Sequence, residues 1–157
     1  MTIDYGAMLR NRSIETTFGL CLQPSLVWNY NLIAKAEQPD ADALAELEEQ
    51  IRGATVVVVL RALTEDESWA LDLRYAAAKQ GTPEARDLDK SVLLKSFVRF
   101  ETMDGDPIED LGKKDFGAYW DNASPGERIP LLALSLELKT FIPSVPFSVP
   151  QSLTTRR

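Results

Sequence analysis

Ala54-Thr-Val-Val-Val-Val-Leu-Arg-Ala-Leu-Thr-Glu-Asp-Glu-Ser-Trp69 is the stretch that decides the fold. Its β-branched apolar run is too short to span a membrane and has the length of a buried strand, which predicts a strand over Thr55–Leu63. Thr64 with Glu67 three residues on is a capping box, in which the threonine oxygen accepts from the Glu67 amide and the Glu67 carboxylate reaches back. Glu65, Asp66 and Glu67 then fill a first helical turn, where the positive end of the helix dipole favours them. The spacing therefore predicts a strand-to-helix corner, with a helix from Glu65 to Lys79 that aligns Trp69, Leu73 and Ala76.

Upstream, Phe18, Leu20 and Leu22 alternate with Thr17, Gly19, Cys21 and Gln23, the period of a half-buried strand over Thr16–Gln23. Pro24 ends it, and Ser25 is the expected N-cap of a helix with Leu26, Tyr30 and Ile33 on one face and Trp28 beside them. After the break at Gln38-Pro39-Asp40, Leu44, Leu47 and Ile51 form a stripe from Asp42 to Arg52, with Gly53 as the expected C-cap. Two helices thus sit between two strands as an αα-hairpin, and the strands are free to pair with each other. Residues 1–13 read as a short helix or an arm.

Downstream, Gly81-Thr82-Pro83 ends one helix and starts another, expected from Pro83 to Arg99 with Leu88, Val92 and Phe97 inward. Asp104-Gly105-Asp106-Pro107 is a turn by composition. A short helix over Lys113–Trp120 follows, and Ser124-Pro125 opens a last one with Leu131, Leu134 and Leu138 on its stripe. From Phe141 the chain carries Pro143, Pro146 and Pro150, which require an extended path. The expected organisation is an arm (1–13), a mostly helical α+β domain with a two-stranded sheet (14–140), and an extended proline-rich tail (141–157).

Composition narrows function by exclusion. The 157 residues carry 24 acidic and 17 basic side chains, a formal net charge of −7. That balance argues against nucleic acid, which requires clustered lysine and arginine. The chain has no histidine, which removes the commonest general base and metal ligand together. The single cysteine, Cys21, has no partner for an internal disulfide and no base to activate it, so a reducing compartment is expected. Neither a signal peptide nor a long apolar span is apparent. No catalytic residue, cofactor or metal site is expected. The acidic group Glu101, Asp104, Asp106, Glu109 and Asp110 does not fit the frame of a calcium loop and reads as a solvated turn; a metal-dependent enzyme or small hydrolase survives only through it.

Trp28, Trp69 and Trp120 each fall near the apolar side of an expected helix, which favours core over binding site. The tail reads differently. Phe141, Ile142, Val145, Phe147 and Val149 lie on a segment that its prolines hold extended, so docking it against a partner would cost little ordering entropy.

The order of these pieces resembles the tail assembly chaperones of long-tailed (siphovirus-type) actinobacteriophages. The resemblance is carried by the glutamate-rich helix and β-branched strand over Glu46–Leu63, ending Leu-Arg-Ala-Leu, then by the capped helix with Trp69. It continues through Tyr119-Trp120 to the leucine-rich helix and closing Val145-Pro-Phe-Ser of Leu131–Ser148, and spans about three-fifths of the chain in pattern. It implies a non-enzymatic role in the host cytoplasm: binding the tape-measure protein and helping to recruit tail-tube subunits. It also implies a longer form made by programmed frameshifting. A homo-oligomer is compatible with it. The alternative is a permanent virion component, a head–tail connector or tail-terminator subunit, whose tail would insert into a neighbour.

Overall fold

A computed structural model of the chain describes residues 2–148, and Val149 of the tail lies outside them. Among the described residues the order is α1 (Tyr5–Arg10), β1 (Glu15–Cys21), α2 (Pro24–Ala34), α3 (Ala41–Gly53), β2 (Thr55–Arg61), α4 (Glu65–Ala77), α5 (Pro83–Ser96), β3 (Phe97–Glu101), α6 (Lys113–Asn122) and α7 (Pro125–Thr140). The architecture is mostly helical with a small sheet, as the sequence predicts, and the strands pair antiparallel, a direction that the sequence leaves open. The corner after β2 forms as expected: the Glu67 amide donates to Thr64 Oγ1 at 3.3 Å, and the Thr64 amide donates to Glu67 Oε1 at 3.0 Å.

The sheet has three strands in the order β1-β2-β3, not two. Phe97–Glu101 is a strand that follows α5 directly, although its first three residues, 97–99, read from sequence as the end of a helix. The reason lies in its register. Val58 pairs with Phe100 and Val59 with Arg99, but Leu60 pairs with Phe97, so Val98 is the extra residue of a β-bulge. The bulge places Phe97 and Phe100, three residues apart, opposite Leu60 and Val58, which share one face of β2. A three-residue apolar spacing reads as helical in a sequence, and here a bulge produces it. Beyond β3 the chain turns at Gly105, with φ +90, and Ile108 donates its amide to the Phe100 carbonyl at 2.9 Å.

The core lies between this face and the C-terminal helices. Leu20, Val58, Leu60, Leu93, Phe100, Phe116, Trp120, Leu131 and Leu138 form its buried cluster. Phe116 of α6 is central, with ring centroids 5.6 Å from Phe97, 6.1 Å from Phe100 and 6.5 Å from Tyr119. On the opposite sheet face Arg99 donates to Glu101 Oε2 at 2.7 Å and lies 3.8 Å from Glu15. Pairing across β2 thus carries charge on one face and aromatic rings on the other.

Several local expectations are corrected. Trp69 and Leu73 of α4 are exposed, Trp69 at 64%; the buried residue of this helix is Leu71. Trp28 of α2 is exposed at 68%, whereas Trp120 is buried at 5% with the Arg128 guanidinium 4.9 Å above its ring. Pro24 does not precede α2 but occupies its first turn, with Gln23 rather than Ser25 as N-cap. Gly53 is the last residue of α3, without positive φ, and Ala54 is the C-cap.

The αα-hairpin does lie between the two paired strands. Its stripes Leu26, Tyr30, Ile33 and Leu44, Leu47, Ile51 are half-buried, yet α2 and α3 contain no fully buried residue. Helix α1, capped by Asp4, has none either. No helix among the described residues is long and apolar enough to cross a membrane.

Candidate interaction surface

The tail residues singled out in the sequence do not converge on a pocket. Phe141, Ile142, Val145 and Phe147 are all exposed, each by more than half, following the end of α7. The segment has no regular secondary structure; the Ser144 amide donates to the Ile142 carbonyl at 2.9 Å.

The structure reveals an apolar cleft that the sequence did not announce. Helices α4 and α7 both pack near α5 and leave a gap of about 410 Å³, walled by Leu71, Val92, Leu132, Leu136 and Leu138. A shallower recess of about 260 Å³ continues it past Trp69 and Glu65. Three polar links fix the walls. Arg61 at the end of β2 donates from Nη1 and Nη2 to the two oxygens of Glu67 at 2.8 and 2.9 Å, which sets where α4 starts. The Tyr75 hydroxyl donates to Asp89 at 2.7 Å, joining α4 to α5. Lys139 Nζ donates to Asp72 at 2.6 Å, joining α7 to α4 across the opening.

The electrostatics follow from these contacts. The Arg61 hydrogen bond, with support from Thr64, holds the Glu67 carboxyl well below its usual range, at about 2. Burial raises the Tyr75 phenol, and the Asp89 charge raises it further, so Tyr75 stays a neutral donor. None of these groups is joined to a nucleophile; the set orients helices.

A second cleft of about 560 Å³ lies between β1 and α2 on one side and α6 and α7 on the other, with Phe18, Val27, Trp28, Tyr119 and Pro130 among its walls. Tyr119 donates to Glu127 Oε2 at 3.1 Å, and Glu127 also accepts from the Ser124 amide at 3.0 Å. The Ser124 bond is the chief cause that lowers the Glu127 carboxyl; burial, then Glu127, raises Tyr119. Cys21 at its edge is half-buried and donates its thiol to the Gln23 carbonyl at 3.3 Å. In the acidic segment, Glu101 is bound to Arg99, and among the described residues no group of three or more acidic or cysteine side chains is placed to hold a metal ion.

Sequence reasoning missed the α4–α7 cleft because its walls come from residues far apart in the chain. Tyr75 and Asp89 carry no mutual signal, and Asp72 and Lys139 are 67 positions apart. The chain matches no protein-family model, no curated protein and no solved structure.

Proposed function

We propose that this protein is a non-enzymatic assembly chaperone of the phage-tail type, which binds apolar segments of a client and keeps them from aggregating in the cytoplasm of the bacterial host. The client implied by the resemblance is the tape-measure protein, with tail-tube subunits recruited to the complex. One observation carries the reading: an apolar-walled cleft between α4 and α7, on a chain of net charge −7, with Phe141, Ile142, Val145 and Phe147 exposed after the end of α7. Apolar walls take up apolar helix or strand by burying surface, about 25 cal/mol per Å², while the acidic exterior keeps the complex dispersed. Phe141, Ile142, Val145, Phe147 and Val149 extend the contact surface in this reading.

Co-expression of the tagged chain with the tape-measure protein of the same genome tests it. Co-purification with a solubilised tape measure is expected; a tape measure that stays insoluble and unbound overturns the reading. The exposed tail favours the second reading, a connector or tail-terminator subunit, because such a tail could lodge in a neighbouring subunit. Stoichiometric amounts in purified particles would select that reading.

A further inference from the structure

We propose that the α4–α7 cleft is the docking site for the tail of a second copy of this chain, so that the protein associates with itself head to tail. The inference rests on this cleft being a binding surface and is independent of what the client is. The tail supplies the complementary chemistry. Phe141, Ile142, Val145 and Phe147 are exposed on a segment that Pro143 and Pro146 restrain, and none of them lines the cleft of its own chain. A proline-restrained segment loses little conformational freedom when bound, and its four apolar side chains match the apolar part of the wall, Leu71, Val92, Leu132, Leu136 and Leu138.

Charge points the same way. Residues 141–157 contain no acidic residue, and Arg156 and Arg157 are their only charged side chains, in a chain that is otherwise strongly acidic. At the cleft, Arg61 is neutralised by Glu67 and Lys139 by Asp72, while Asp89 and Glu65 remain as carboxylates without a cationic partner among the described residues. An apolar segment with two arginines and no acidic residue therefore suits this cleft better than the chain's own acidic helices do. Because the tail and the cleft are different patches of one surface, the contact is heterologous: a bound pair leaves one tail and one cleft unused, and association continues into rings or open chains. A client segment entering the cleft would displace the tail, coupling client binding to disassembly.

Sedimentation of the full-length chain over a range of concentrations, with no client present, tests this directly. Wild type is expected to form concentration-dependent oligomers that weaken at high salt. Leu136→Glu places a charge on the exposed cleft wall, and the double variant Ile142→Asp with Phe147→Asp does so on the tail; none of these side chains is buried. Each variant alone is expected to associate at least about tenfold more weakly, which corresponds to about 1.4 kcal/mol. Mixing the two should restore association but stop at dimers, since only one intact cleft and one intact tail remain. A wild type that stays monomeric, variants that associate like wild type, or a mixture of folded variants that fails to pair would each overturn the proposal. Failure here leaves the tape-measure experiment unaffected, because its readout is client solubility.

Discussion

Arg61 and Glu67 form a two-pronged ion pair, Nη1 to Oε1 at 2.8 Å and Nη2 to Oε2 at 2.9 Å, and the same Oε1 accepts the Thr64 amide at 3.0 Å. One carboxylate therefore closes the end of β2, caps α4 and fixes the angle between them. Parallel arginine–carboxylate bonds are both stronger and more directional than a single contact. The corner that organises the chain is held by one side chain with two roles.

Glu67→Gln keeps the shape of the cap and removes the charge, and is expected to cost about 1–2 kcal/mol, allowing for the partial exposure of the pair. The pH dependence follows from the sign of the shift. Glu67 titrates near 2 in the folded chain against an ordinary 4.5, so its contribution is complete above about pH 4.5 and is lost as pH falls toward 2. Urea unfolding of wild type and variant should differ at pH 7 and converge at the acid end. Parallel curves throughout would contradict the role of the charge.

Gly53 and Gly105 should respond in opposite directions to alanine. Gly53 ends α3 with negative φ and nothing within 4 Å of a built Cβ, so Gly53→Ala should stabilise by up to about 1 kcal/mol. Gly105 sits at φ +90, where an L side chain is strained, and Gly105→Ala should destabilise by about 1–2 kcal/mol. Thermal melts of the two variants provide the comparison; destabilisation by Gly53→Ala would show that the residue serves as a cap after all.

The tryptophans divide by exposure. Acrylamide should quench Trp28 and Trp69 readily and Trp120 poorly, read from single-tryptophan variants. Trp69→Ser is expected to change stability by no more than about 0.5 kcal/mol. Trp120→Ala should cost about 3–5 kcal/mol, since it empties a core site under Arg128.

Phe116 is fully buried among Phe97, Phe100 and Tyr119. Phe116→Ala is expected to lower stability by about 3–5 kcal/mol, and because the ring supports the bulged β3, amide exchange should accelerate most at Phe97–Glu101. Uniform acceleration across the sheet would argue against that local dependence.

What the sequence by itself determined was local and chemically coded. The Thr64–Glu67 box, the Ser124-Pro125 start of α7, the period-two strand, expected over Thr16–Gln23 and formed over Glu15–Cys21 with Leu22 exposed beyond it, and the hairpin α2–α3 are each set by residues within a few positions of one another, where capping, proline geometry and periodicity act. Tertiary structure alone decided the rest. Phe97-Val-Arg-Phe100 satisfies helical spacing as well as a bulged strand, and pairing with β2 chose the strand because it puts both rings on Phe116. Trp69 turned outward because Leu71 took the core side of α4, and periodicity cannot rank two apolar faces without the surface they meet. The α4–α7 cleft is walled by helices distant in sequence, which Tyr75–Asp89 and Lys139–Asp72 tie together, contacts that form only once the chain has folded.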